Sequence, residues 1–287
     1  MNPTRKKTTQ RQLDAKKRNG EPIVVVTAYD HYSAKIVDAA GVDATLVGDS
    51  LGMVIQGHDS TLPVKLEHVL YHTACVTRAR PASLVVADLP FGTFQRGPEV
   101  AVDASVRLVQ DAGAEAVKVE GAGARLESIR RIAEADIPVW GHVGLTPQSV
   151  HALGGYRVQG REEAAAARVM EAALEIQEAG ASTIVFECIP HGLASELSAK
   201  LEIPTIGIGA GPGCDGQVLV FHDLLGFDEE FKPRFVRNYA NANASLTEAV
   251  AAFAADVRSG AFPTLEESFA STGEASAPPV AGAQRRS

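Results

Sequence analysis

Cysteine is scarce, with three in 287 residues, Cys75, Cys188 and Cys214. An odd, widely spaced set supplies neither a disulfide framework nor a zinc knuckle, so each is read as a small buried or half-buried filler. No apolar run approaches the roughly 18 residues that a membrane-spanning helix needs, and Met1 to Gln10 lacks the apolar centre of a secretion signal. A cytoplasmic protein with no membrane partner is expected. Positive charge is also in deficit: 27 basic against 35 acidic residues leave −8, which argues against a general nucleic-acid binder. Finally, no linker-like stretch interrupts the interior. With 45% hydrophobic content, the chain can bury a full core, and one large α/β domain is expected over 20–269.

What is present is a repeated phrase. A helix ends on Ala-Gly, an apolar strand follows, and an acid closes it: Ala40-Gly41 to Asp49, Ala112-Gly113 to Glu120, Ala179-Gly180 to Glu187. A fourth copy has Pro81 in the glycine's place and runs from Ser83 to Asp88. Glycine just past a helix accepts the left-handed conformation that closes it, and proline cannot continue the helix. Four strands therefore deliver four carboxylates to one face.

Further strands are predicted at Ile23–Thr27, Ile137–His142, Pro204–Ile208 and Gln217–Val220, the last being the weakest because it is short and follows a glycine-rich loop. Eight strand candidates with helical patterns between most of them favour a (β/α)8 barrel, a TIM barrel, over an open sheet. Helices are expected over Tyr32–Ala40, Leu66–Arg80, Glu99–Asp111, Glu162–Glu178 and Ser245–Arg258. Residues 1–19 read as a polar, basic arm that is solvated or touches another subunit more readily than it binds a polyanion. Residues 270–287 read as a disordered tail from their Ser, Pro, Gly and Ala content.

Two patterns imitate other chemistry. Gly211-Pro-Gly-Cys-Asp-Gly216 satisfies the dinucleotide-binding spelling, but it lies late in the chain and leads into Gln217-Val-Leu-Val220, which is not helical in pattern. A tight glycine loop at the rim of the site is expected. His68 and His72 stand four apart on a helix, yet no glutamate lies between them as a zinc protease helix requires.

The acids themselves carry the functional reading. Converging carboxylates repel one another unless a cation or shared protons relieve them, and an oxygen-only set with no Cys or His suits a hard ion such as Mg²⁺. Lys118 lies two residues before Glu120 and so shares its barrel face. A lysine there must be neutralised or employed. His142 closes the fifth strand and is an additional pocket candidate.

These residues sit in longer runs: Val47-Gly-Asp-Ser-Leu-Gly-Met53, Gln56-Gly-His-Asp-Ser-Thr-Leu-Pro63, Ala87-Asp-Leu-Pro-Phe91, Lys118-Val-Glu-Gly121, Gly141-His-Val-Gly-Leu-Thr-Pro-Gln148, Gly154-Gly-Tyr-Arg-Val-Gln-Gly-Arg161, Phe186-Glu-Cys188 and Gly207-Ile-Gly-Ala-Gly211. From about residue 12 to 269 the chain resembles the ketopantoate hydroxymethyltransferase family. The resemblance implies a (β/α)8 barrel of the phosphoenolpyruvate/pyruvate type. It also implies transfer of a one-carbon unit from 5,10-methylenetetrahydrofolate to 3-methyl-2-oxobutanoate in pantothenate synthesis, through an enolate that Mg²⁺ stabilises. By the same resemblance Asp49, Asp88 and Glu120 are metal-site acids, Asp49, Ser50, Asp88 and Lys118 hold the oxo acid, Glu187 accepts the proton, and the protein is a homo-oligomer, commonly a decamer. Ala122, where a second glycine is usual, and the longer tail after Phe269 depart from the family pattern without touching the acids. Two other readings stay open: a carbon–carbon lyase or phosphonomutase on the same barrel, though no Lys-Lys-Cys-Gly-His context is present, and a non-catalytic metabolite binder.

Overall fold

The computed structural model describes residues 5–230 and 233–271. Eight apolar runs form β1 (Ile23–Thr27), β2 (Ala44–Val47), β3 (Leu84–Asp88), β4 (Ala116–Glu120), β5 (Val139–Gly144), β6 (Thr183–Glu187), β7 (Thr205–Ile208) and β8 (Gly216–Leu219). Each pairs in parallel with the next, and β8 pairs with β1, so the sheet closes into a barrel. Both faces of β2, β3 and β4 are buried throughout, which is why these segments read as continuous apolar runs rather than alternating ones.

The helices follow in chain order: α1 (Gln10–Asn19), α2 (His31–Ala39), α3 (Leu51–Val54), α4 (Leu66–Thr77), α5 (Pro98–Gln110), α6 (Leu126–Glu134), α7 (Val150–Leu153), α8 (Glu163–Glu178), α9 (His191–Lys200), α10 (Phe221–Leu225) and α11 (Ala242–Ser259). Gly41, Gly113 and Gly180 close α2, α5 and α8 with φ of 85°, 76° and 98°, the left-handed values expected of them. In the fourth copy the arrangement differs, because Arg80 itself takes the left-handed conformation (φ 52°) before Pro81. β5 starts at Val139, two residues later than predicted, after a left-handed Asp136 (φ 60°) and a proline that has no N–H to give the ladder.

The packing forms two apolar layers. One lies between strands and helices, and the other fills the lower barrel with Val25, Leu46, Val86, Ala116, Trp140, Val185 and Ile206. Leu13 belongs to that inner layer and is fully buried, which revises the reading of residues 1–19 as a polar arm. Its residues Gln10–Asn19 form α1, which closes the barrel's N-terminal end. Gln10 donates to Thr183 Oγ1 at 2.9 Å and accepts from Trp140 Nε1 at 3.1 Å. Four of its cations meet acids at that end: Arg5 with Asp38, Lys7 with Glu115, Lys16 with Asp43 and Lys17 with Asp215. A single leucine inside a run of lysines and arginines leaves too weak a periodic signal for the sequence to reveal this.

Two features leave the outer wall incomplete. The seven residues from 209 to 215 return from β7 to β8 without a helix, and a cleft of about 990 Å³ opens there, lined by Val24, Ile189 and Phe235 among others. The glycine loop expected at the site rim is this connection, pressed on α9: a Cβ on Gly213 would stand 1.9 Å from Ser195 Oγ. It runs down the outside rather than beside the acids, since Asp215 at its end bonds Lys17 of α1. α11, predicted over 245–258, has no buried residue and exposes Leu246, Val250, Phe253 and Val257. The predicted tail lies outside the described residues from 272 onward.

Leu13→Ala is expected to lower unfolding stability by about 2–5 kcal/mol, the usual range for emptying a sealed core site, as measured by urea denaturation.

Candidate active site

Strand alternation sets the site. Inward-facing positions run Leu84, Val86, Asp88 on β3 and Ala116, Lys118, Glu120 on β4, so each series begins in the apolar layer and ends in a charge. On β5 and β6, Trp140 precedes His142 and Val185 precedes Glu187 in the same way. All four series emerge at the C-terminal ends of the strands, the end where barrels of this kind carry their chemistry. Asp49 joins from the turn after β2. Gly48 permits its approach, because a Cβ there would lie 2.9 Å from Ser50 Oγ, and the Asp49 N–H then donates to Asp88 Oδ2 at 3.0 Å.

Lys118 is the hub. Its ammonium lies 3.1 Å from Asp88 Oδ1, 3.6 Å from Glu120 Oε1 and 3.3 Å from His142 Nδ1. His142 Nδ1 is 3.6 Å from Glu120 Oε1, and Nε2 is 3.3 Å from Glu187 Oε2. Burial works against the lysine's charge, but Asp88, Glu120 and Asp49 outweigh it and raise its pKa. Burial and then Lys118 push His142 well below the ordinary histidine value, so the imidazole is neutral. With Nδ1 facing an ammonium, the ring proton belongs on Nε2, toward Glu187.

The acids pay attention to one another in turn. Burial, then Asp88 and Glu120, raises Asp49 well above the usual carboxylate range. Burial lifts Glu120 to about 7 against the pull of Lys118. Burial likewise carries Glu187 to about 7, with Lys118 opposing and Asp88 assisting. One lysine does not neutralise four carboxylates in a low-dielectric mouth. Two further groups complete the arrangement. Ser50 Oγ lies 2.8 Å from the hydroxyl of buried Tyr29, and Gln148 donates to Asp49 Oδ2 at 2.8 Å and through its backbone N–H to Glu120 Oε2 at 3.0 Å.

All the sequence-predicted residues therefore meet at one mouth: Asp49, Ser50, Asp88, Lys118, Glu120, His142 and Glu187. Tyr29 and Gln148 were not singled out from the sequence. Gln148 ends the long run that begins at Gly141, but nothing local distinguishes it from a loop glutamine. His68 and His72 do not form a metal pair: His68 Nδ1 accepts from Lys65 N–H, and His72 Nδ1 bonds the Tyr29 carbonyl at 2.6 Å. The cysteines are free, and burial pushes the thiols of Cys188 and Cys214 up to about 11, as suits filler.

The donor set suits a hard divalent ion. Every candidate ligand is a carboxylate oxygen, and Asp88 Oδ1, though beside Lys118, is buried without a well-aligned hydrogen bond. Among the described residues, no three His, Cys, Asp or Glu side chains are already gathered as a closed ligand set. Mg²⁺ requires none, since it commonly takes one or two carboxylates and fills its remaining positions with water and substrate oxygens. The residues fit such an ion.

Fold and site together define a (β/α)8 barrel with an acid-and-lysine cluster at its C-terminal mouth. Solved structures of similar fold include phosphonopyruvate hydrolase in complex with oxalate and Mg²⁺ (TM-score 0.57, 16% identity, covering 91% of this chain and 93% of that one). Another is 2,3-dimethylmalate lyase, a member of the PEP mutase/isocitrate lyase superfamily (TM-score 0.54, 18% identity, 92% of each chain). At such identities they establish the fold alone. The family is fixed by sequence: the profile described as ketopantoate hydroxymethyltransferase matches residues 7–265, and the chain belongs to that family. The 3-methyl-2-oxobutanoate hydroxymethyltransferase of Trichlorobacter lovleyi is 53% identical over 265 residues, 92% of this chain and 99% of the relative. That of Moorella thermoacetica is 51% identical over 265 residues, covering 92% and 98%. The protein is thus an enzyme of the transferase class.

A carboxyl whose pKa rises on folding holds its proton more tightly in the folded state, so stability falls as pH climbs from the ordinary value of 4.5 toward about 7 and stays low above it. The metal-free Glu187→Gln variant is therefore expected to exceed the parent in stability by on the order of 2 kcal/mol at about pH 8, and to show no such gain at about pH 4. Urea unfolding at the two pH values checks this.

Proposed function

We propose that the protein transfers a hydroxymethyl group from 5,10-methylenetetrahydrofolate to 3-methyl-2-oxobutanoate, giving 2-dehydropantoate and tetrahydrofolate at the first committed step of pantothenate synthesis. The relatives' names supply the acceptor and the group transferred; the folate donor and the pathway are taken from the family resemblance. The observation that carries it to this chain is a buried lysine ringed by Asp88, Glu120 and His142, with Glu187 on the histidine's far side.

Asp49, Asp88 and Glu120 are the acids that would hold Mg²⁺. When bound, the ion supplies a Lewis acid for the substrate's keto group. The chain's own residues do the rest. The Lys118 ammonium and the Ser50 hydroxyl, itself oriented by Tyr29, bind and offset charge on the oxo acid's oxygens. Glu187, with a pKa near neutrality, takes the proton from C3. His142 stays neutral, with Nε2 3.3 Å from Glu187 Oε2, so it adds no charge beside the base. The C3 carbanion equivalent then attacks the methylene carbon carried by the folate as one of that carbon's two carbon–nitrogen bonds breaks; water supplies the hydroxyl as the second breaks, and the C3 proton and one water proton end on the two folate nitrogens, releasing tetrahydrofolate.

The reading extends to assembly and setting. An exposed stripe of Leu246, Val250, Phe253 and Val257 on α11 and an uncovered wall between β7 and β8 support a homo-oligomer, a decamer by family likeness, in which such apolar surface is covered. The three free cysteines suit the reducing cytoplasm. Among the described residues, no helix is long and apolar enough to cross a membrane.

Purified protein given 3-methyl-2-oxobutanoate, Mg²⁺ and 5,10-methylenetetrahydrofolate is expected to form 2-dehydropantoate, with none formed when the folate is omitted. A lyase or a non-catalytic binder would not show that dependence. Glu187→Gln should retain oxo-acid binding by calorimetry and lose C3 proton exchange with deuterated water by about 10²–10⁴-fold; undiminished exchange would remove Glu187 from its role. Phe253→Asp is expected to reduce the particle mass measured by light scattering, and an unchanged mass would count against α11 as a subunit contact.

A further inference from the structure

The acid cluster is braced by a hydrogen-bond relay whose direction is set at both ends by the backbone. The Gly92 N–H donates to Gln95 Oε1 at 2.8 Å. A backbone N–H cannot accept, so the Gln95 oxygen must face it and the Gln95 NH₂ must point the other way. There it donates to Gln148 Oε1 at 2.9 Å. The Gln148 NH₂ in turn donates to the Leu89 carbonyl at 2.9 Å and to Asp49 Oδ2 at 2.8 Å. A carbonyl cannot donate, so this end is fixed too. Gln148 is buried, in the short turn Pro147–Ser149 after β5, and its backbone N–H holds Glu120 Oε2 at 3.0 Å. One residue therefore grips two acids that arrive from different strands.

We infer that Gln148 is a positioning residue for the cation site: its amide, aimed by Gln95, occupies Asp49 Oδ2 and turns the remaining oxygen, Oδ1, toward the ion. Neither glutamine touches the reacting atoms. The inference rests on the proposed use of Asp49 as a metal-site acid. Its physical basis is that a carboxylate gripped by an N–H of fixed direction loses rotational freedom, and partners beyond the ligands tune metal affinity in this way. A glutamine that served only to fill space would not need its amide direction enforced from a second loop.

The test is titration of the whole protein with Mn²⁺ alone, followed by the EPR signal of the free ion, with no oxo acid or folate present. Wild type is expected to bind. Gln148→Leu should raise Kd by about 10- to 100-fold. In Gln95→Glu one carboxylate oxygen can keep the Gly92 N–H while the other faces Gln148, which reverses the amide and presents its oxygen to Asp49; a loss of about 100-fold is expected. Gln95→Leu withdraws one donor without reversing the amide and should cost about fivefold, the worth of an ordinary hydrogen bond. A Gln148→Leu value within about twofold of wild type, or equal values for Gln95→Glu and Gln95→Leu, would overturn the inference while leaving the cation site standing. If wild type itself takes up no Mn²⁺, the cation reading falls and this inference with it. Should Gln148→Leu fail to fold, the pair at Gln95, remote from the acids, decides the question.

Discussion

A single buried ammonium among carboxylates is the interaction on which this molecule turns. Lys118 sits at the centre of the barrel mouth because β4 alternates, with Ala116, Lys118 and Glu120 all facing inward. Burying any charge is costly, and a lone lysine in that position would give up its proton or disrupt the core. Asp88 and Glu120 hold it charged. The converse constraint matters as much, because four acids cannot all be ionised around one cation without further relief. The rest of the mouth is a set of responses to that imbalance: protons retained near neutrality, a neutral imidazole placed between two glutamates, and amide donors from the neighbouring loop.

The opposite end of the barrel shows what happens when the imbalance is resolved within the chain. Asp38, Asp43, Glu115 and Asp215 also ring an end of the sheet, yet Arg5, Lys7, Lys16 and Lys17 meet them one for one. Leu13 and Trp140 then seal the interior. Those pairs are partly exposed and individually contribute little, but together they give each of the four acids a cation. One end of the barrel is therefore a closed base whose acids are paired, and the other keeps an excess of negative charge that a divalent ion can answer. That division of labour is general for this architecture, and here it follows from where the N-terminal segment places its cations.

The outer wall follows the same reasoning in apolar terms. The β7–β8 connection carries no helix, and α11 lies without a buried residue. Both leave apolar surface exposed, which the proposed homo-oligomer would cover.

The strands were legible because parallel strands buried on both faces leave dense runs of Val, Ile and Ala, and the Ala-Gly closures ahead of them gave their spacing. Asp49, Asp88, Glu120 and Glu187 could be read as one set from their repeated position at strand ends, and Lys118 from a two-residue offset that period-two geometry converts into a shared face. What the linear order could not contain was contact between segments far apart in it. The sequence could not reveal that α1 seals the barrel, that Tyr29 bonds Ser50, or that Gln95 directs Gln148 onto Asp49, since each depends on loops from different strands meeting in space. Local periodicity determines which face a residue occupies. Only closure of the sheet decides which faces meet, because that is when burial strengthens the charges and brings distant hydrogen-bond partners within 3 Å of one another.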